Sequence, residues 1–317
     1  LITDARGPAS GTLDHRAIDW AGVSCASYAL HQRITYQYPG PIRDLRQQLV
    51  VIPRAVHGDQ RLRAYRLEVD GPAAHRVEQL DPFGNHIVSL HLPRVERQVG
   101  FTITLEIERH AAARPPLEPA SAAAQFLQPT RLTEASAALC AAGKEIGVSR
   151  FGSPEANAAL ITRWVYKAMR YTPDVTTVKT TAAEAFALRA GVCQDYAQIM
   201  LVLCRLHGIP ARYVSGHLLG EGGTHAWVEV LIPTAAGAGM YTARAFDPTH
   251  GCAADLRYVT VAVGRDYADV PPMCGSFQAP YGGVLHASKR ASLTDVRYAA
   301  ADPDATARAT RSMLDCA

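Results

Sequence analysis

Gly191-Val192-Cys193-Gln194-Asp195-Tyr196-Ala197 opens a strongly apolar helical stretch that runs from about Val192 to His207 and is stopped by Gly208 and Pro210. This reading puts Cys193 at a helix N-terminus. There the free backbone N–H groups and the positive end of the macrodipole favour a thiolate over a thiol. The same N–H groups can hold an oxyanion. Gln194, next in line, offers either a side-chain oxyanion donor or a cap for the first turn. Cys204 lies about three turns further along the apolar face and is expected in the core.

A thiolate nucleophile needs a base or ion-pair partner, and that partner needs a third group to fix its ring. Thr224-His225-Ala226-Trp227-Val228-Glu229-Val230 begins a strand directly after the Gly-rich loop 220–223, and Phe246-Asp247-Pro248-Thr249 ends the next one. Neighbouring antiparallel strands can present His225 and Asp247 together, with Cβ atoms about 4.5–5.5 Å apart. Cys193, His225 and Asp247 are therefore the candidate catalytic residues. Trp164 and Trp227 are candidates to line an acyl groove, or else to pack in the core.

Outward from this stretch, helices are predicted at Thr133–Ile146, Ser153–Tyr171 and Thr181–Arg189, where Ser153-Pro154-Glu155 reads as an N-cap followed by Pro at the first helical position. Strands follow at Ala211–Leu218, His225–Ile232, Tyr241–Phe246 and 258–263. Ahead of them, residues 31–109 change texture every eight to twelve residues. Strands are predicted there at His31–Tyr38, Leu45–Ile52, Leu62–Val69, Arg76–Leu80, Asn85–Leu92 and Gly100–Glu108. Asp81-Pro82-Phe83-Gly84-Asn85 has the chemistry of a turn between two of them. The expected architecture is α+β: an N-terminal antiparallel β-sandwich over 1–110, a Pro/Ala-rich linker over 111–124, and a core of helices packed on an antiparallel sheet over 125–317.

Composition removes other classes. Lys and Arg total 32 against 29 Asp and Glu, a formal charge of +3 too small and dispersed for an electrostatic nucleic-acid binder. No apolar run approaches the roughly 20 residues of a membrane span, and residues 1–30 lack a secretory pattern, so a cytoplasmic protein without a membrane partner is expected. None of the 7 cysteines stands at C-x-x-C spacing. His217, His225, His250 and Cys252 fit no common ligand pattern, and no acidic loop of EF-hand type occurs. Neither a metal nor a cofactor is expected.

At this point the chain resembles the bacterial transglutaminase-like family. The likeness rests on Asp81-Pro82-Phe83-Gly84-Asn85, Thr180-Thr181-Ala182, Gly191 to Ala197, Gly208-Ile209-Pro210-Ala211-Arg212-Tyr213-Val214-Ser215-Gly216, His225-Ala226-Trp227, Phe246-Asp247-Pro248-Thr249 and Val263-Gly264-Arg265-Asp266-Tyr267-Ala268-Asp269-Val270-Pro271-Pro272. It implies a papain-like core with Cys193 as nucleophile, His225 as general base and acid, and Asp247 orienting the imidazole. One segment departs. Where such proteins carry Gly-Trp before the strand leading to the Asp, this chain has Gly239-Met240-Tyr241, after the Ala/Gly-rich loop 233–240. The implied chemistry is acyl transfer through a Cys thioester, with a peptide or protein amide as substrate and water or an amine as acceptor. Two rivals stand beside it: a carrier-thioester-dependent amide synthase, and a binding module without catalysis.

Overall fold

The computed structural model describes residues 12–71, 75–111, 117–149, 152–234 and 239–299. The first strands are β1 (Val23–Gln37), β2 (Ile42–Ile52), β3 (Val56–His57), β4 (Gln60–Asp70), β5 (His75–Leu80), β6 (His86–Val95) and β7 (Gln98–His110). Next come β8 (Leu117–Pro119), α1 (Ala120–Ala124), α2 (Ala137–Glu145), α3 (Pro154–Ala168), β9 (Arg170–Tyr171), α4 (Ala182–Leu188), β10 (Ala190–Gly191) and α5 (Cys193–Leu206). The chain continues through β11 (Ala211–Leu218), β12 (His225–Pro233), β13 (Met240–Asp247), β14 (Cys252–Ala253), β15 (Tyr258–Gly264), β16 (Met273–Gln278) and β17 (Val284–Tyr298).

Two antiparallel sheets, β17-β1-β7-β4-β3 and β16-β2-β6-β5, enclose an apolar core that includes Leu45, Leu49, Phe101, Ile103 and Leu105. Period-two alternation drives this packing. Ile103, Leu105 and Ile107 are buried, whereas Thr104 and Glu106 face solvent. The sandwich recruits both flanks of the chain: β16 pairs with β2 and β17 with β1. This takes 273–298 out of the 125–317 segment that the sequence reading gave to the core.

The second body is the sheet β14-β13-β12-β11-β15 with α5 packed against it. Every residue of α5 from Gln194 to Cys204 is buried. An apolar helix without Gly or Pro can tolerate such enclosure, and Cys204 sits inside it with its thiol pushed up to about 12 by burial. Two predicted helices change bounds. Ser136, not Thr133, caps α2, because the Thr133 hydroxyl accepts from Arg205 Nη1 at 2.5 Å. Helix α3 stops at Ala168, since Arg170–Tyr171 pairs in parallel with Ala190–Gly191 just ahead of Cys193. The predicted linker is partly structure too: β8 pairs with β13, and α1 follows. Residues 112–116 of that linker and 235–238 of the Ala/Gly-rich loop lie outside the described residues.

Side-chain amides join the two bodies. The outer edge of β15 receives Gln60, which donates to Thr260 O at 2.7 Å and accepts from Thr260 N at 2.8 Å, and Asn85, which does the same with Val263 at 2.7 and 2.9 Å. The turn Asp81–Asn85 exists to aim Asn85. Asp81 Oδ1 accepts from the N–H groups of Phe83 and Asn85, and Asp81 Oδ2 accepts from the Asn85 amide at 2.8 Å. Gly84 supplies the required left-handed backbone at φ +78. Nearby, His57 Nε2 meets Glu229 at 2.8 Å, and Arg212 links Glu229 to Glu118. Burial would raise the Glu229 carboxyl, but His57 and Arg212 reverse this and hold it well below the usual carboxylate range.

Asn85→Ala removes both partners of a buried N–H and C=O on β15, so urea unfolding should show a loss of about 2–4 kcal/mol. A change within about 0.5 kcal/mol, as for ordinary surface substitutions, would mean that the edge does not depend on this amide.

Candidate active site

Cys193 is the first residue of α5 and half-buried. Its position is set by Asp195, whose Oδ2 accepts from Val192 N–H at 2.7 Å and from the Thr176 hydroxyl at 2.6 Å. The carboxylate leaves no room for a side chain before it. A Cβ on Gly191 would lie 2.7 Å from the Asp195 carboxyl carbon, which explains why glycine stands two residues before Cys193. Burial raises the Asp195 carboxyl above its ordinary value.

His225 begins β12 and Asp247 ends β13. Their strands pair with Phe246 opposite Val228, and continuing that register sets Asp247 opposite Trp227. The two side chains therefore meet on the diagonal rather than directly across. His225 Nε2 lies 2.8 Å from Asp247 Oδ2. Cys193 lies close enough to His225 to favour its charged ring. With Nε2 committed to Asp247, Nδ1 is the nitrogen left for other partners. Burial works against the imidazolium, but Asp247 and Cys193 outweigh it and raise His225 to about 10.

Asp247 is fully buried, and more partners converge on it than the sequence suggested. Its Oδ2 also takes His250 Nδ1 at 2.7 Å and the Tyr258 hydroxyl at 2.9 Å, while Oδ1 accepts from Thr249 N–H at 2.8 Å and His250 N–H at 3.3 Å. Burial favours the neutral acid, yet bonds from His225 and His250 hold this carboxyl well below its usual range. On the solvent side, Glu221 from the Gly-rich loop stands 3.3 Å from His225 Nδ1 and 3.6 Å from His250 Nε2. Lys289 of β17 donates to Gly223 O and so ties that loop to the sandwich. Sequence reading missed Glu221, Tyr258 and the role of His250. The DPTH run was the available signal for His250; Glu221 and Tyr258 come from a loop and a distant strand whose spacing carries no mark.

The remaining candidates are placed differently. Trp227 is 1% exposed, stacked beside His225 with centroids 6.0 Å apart and edge-on to Tyr258 at 5.3 Å. It backs the imidazole and cannot line an open groove. Trp164 packs on Phe186 at 5.9 Å against the helical core. The Gln194 amide donates one N–H to Thr177 O at 3.4 Å, which turns it toward a neighbouring loop. His217 is buried in β11, where desolvation lowers it to about 3, and Cys252 faces Tyr258 at 3.8 Å. The departing segment 240–242 pairs with β8. Exposed Tyr171 lies near both Cys193 and Glu221, and exposed Tyr166 covers Gly251. The segment Gly264–Asp269 is a fixed loop in which Arg265 and Asp269 pair at 2.9 Å.

Comparison with known proteins finds relatives of both parts of the chain. Residues 141–239 match the transglutaminase-like superfamily, and residues 28–108 match the bacterial transglutaminase-like N-terminal region. An uncharacterized protein of Mycobacterium tuberculosis is 29% identical over 310 residues, covering 85% of this chain and 90% of its own. One from Mycobacterium leprae is 34% identical over 163 residues, covering 48% of this chain and 55% of its own. A solved structure from Cytophaga hutchinsonii, described as a candidate cysteine protease, shares the fold with a TM-score of 0.69 at 22% identity, covering 87% of this chain and 93% of its own.

Because His225 is held as imidazolium until pH rises through about 10, its charge is present beside the sulfur at neutral pH and lost only in alkali. Iodoacetamide labelling of Cys193 near pH 6.5 should therefore slow about tenfold or more in His225→Ala, with the gap closing only as pH rises through about 10. Equal labelling of both proteins across that range would show that sulfur and imidazole do not interact.

Proposed function

This chain belongs to the transglutaminase-like superfamily, with a bacterial transglutaminase-like N-terminal region ahead of its core, and from that premise we propose that it hydrolyses peptide-like amides through a Cys193 thioester. The observation that carries the reading is the relay from the half-buried thiol to His225, itself held 2.8 Å from buried Asp247. A fixed, charge-supported imidazole is what thiol acyl transfer requires.

In the first half, the sulfur of Cys193 bonds to the amide carbon and the carbonyl oxygen gains the negative charge. The N–H groups of the first turn of α5 are the donors available to hold that oxyanion. The C–N bond then breaks, and the proton on His225 Nδ1 leaves with the amine. In the second half, water gives its proton to His225 and adds to the thioester carbon. The C–S bond breaks, the acid departs and the thiolate–imidazolium pair is restored. Asp247 keeps Nε2–H engaged throughout, so the ring presents one nitrogen to both steps.

Water is favoured over an amine as acceptor by the rim. Glu221 and His250 are polar and partly exposed where they flank Nδ1, so water reaches that side of the ring. Transamidation needs an acceptor side from which water is kept out. The reading therefore takes an amidase or peptidase over a transglutaminase, with a peptide or glutamine-type amide as substrate.

Glutamine-containing peptides incubated with the protein should yield free ammonia or cleavage products by mass spectrometry, without added metal. Cys193→Ala should lower the rate by at least about a thousandfold, and Asp247→Asn by roughly a hundredfold or more. Turnover that survives Cys193→Ala, or amine incorporation that outpaces hydrolysis at millimolar amine, would refute this assignment.

A further inference from the structure

Asp247 is shared by two imidazoles, and the catalytic relay uses only one of them. His225 Nε2 and His250 Nδ1 both bond to the same oxygen, at 2.8 and 2.7 Å. Each ring therefore donates its N–H inward and turns its other nitrogen away from the carboxylate. Those outward nitrogens, His225 Nδ1 and His250 Nε2, both face Glu221, at 3.3 Å from Oε2 and 3.6 Å from Oε1. The three donor atoms lie within 4.8 Å of one another.

Donor atoms grouped in this way can hold one metal ion. A tetrahedral Zn2+ with bonds of about 2.0–2.1 Å sets its ligand atoms roughly 3.3–3.5 Å apart, close to the 3.3 and 3.6 Å that separate the two imidazole nitrogens from the two oxygens of Glu221. Metal-bound histidines characteristically donate their second N–H to a carboxylate, which fixes the tautomer and the ring. Asp247 does so for both rings at once. Two imidazoles and one carboxylate suit zinc or a similar transition ion, and are too poor in oxygen for calcium. The site also keeps an open side, since Glu221 and His250 are partly exposed.

We propose that Glu221, His225 and His250 form a site for a divalent transition ion, Zn2+ in chemical class, whose occupancy switches the thiol relay off. Binding forms coordinate bonds to Nδ1 of His225, Nε2 of His250 and the Glu221 carboxylate. Protons carried on those nitrogens pass to solvent, and no oxidation state changes. The ion takes the nitrogen that the sulfur needs. Cys193 then loses its imidazolium, and an amide loses its proton donor. The two states are exclusive because they compete for one atom.

The inference does not rest on amide hydrolysis, since metal binding and thiol alkylation are read without turnover. Zn2+ is titrated by calorimetry into the wild type, Glu221→Gln and His250→Asn, with urea midpoints verifying that each variant is folded. In parallel, iodoacetamide labelling of Cys193 is followed with Zn2+ and after chelation. One equivalent of Zn2+ should bind the wild type and slow labelling at least about tenfold, reversibly. Each substitution should weaken binding by about tenfold or more. Unaltered affinity in either variant, which would follow if the thiol and His225 alone captured the ion, overturns the proposal. So does labelling that Zn2+ leaves unchanged.

Discussion

The outer edge of β15 is the constraint on which the active centre hangs. An edge strand leaves a row of N–H and C=O groups unpaired, and burying such a row without partners costs about 1–3 kcal/mol for each group. Here Gln60 and Asn85 reach across from the sandwich and imitate a neighbouring strand with their amides. The first residue of that strand is Tyr258, whose hydroxyl bonds to Asp247, and Asp247 holds His225. A hydrogen-bonded path therefore runs from the N-terminal sheets to the imidazole. The sandwich acts as a brace for the sheet that carries His225 and Asp247.

Electrostatics at the centre follows from how that brace excludes water. Asp247, at 0% exposure, would be neutral in an apolar pocket. It stays ionised because two imidazoles and a tyrosine hydroxyl converge on one of its oxygens, and backbone N–H groups on the other. The charge that it retains is what raises His225. One buried carboxylate thus supports two histidines with different exposure. His225 is enclosed, whereas His250 opens to solvent, and their outward nitrogens share Glu221.

Much of this was legible in the sequence. The order Cys193, His225, Asp247 and the bounds of α5, β11 and β12 followed from helix caps, apolar runs and Gly-rich breaks, because those elements are buried and their periodicity is strong. Strand β17 was not legible. Of its fifteen residues only Leu293 is buried, so no alternation marks it. Trp227 read as either a groove or a core residue, because an aromatic near a candidate histidine has no sequence signature separating support from contact. Gln60 and Asn85 carried no signal either, since the partner of a side-chain amide is fixed only when two distant strands meet. Cap residues are local and can be read directly; residues that close contacts of long sequence separation cannot.

Strand β1 lies between β7, its neighbour within the first third of the chain, and β17, which arrives about 250 residues later. In the order of synthesis, everything from Cys193 to Asp247 is made before β1 has its second partner. Until Val284–Tyr298 emerges, a fifteen-residue strand has an open edge able to pair with another copy. Lys289, which holds the loop bearing Glu221, comes from that same late strand. The loop beside His225 and His250 is thus among the last parts of the protein to be fastened, and the chain cannot anchor it before it has closed its own sandwich.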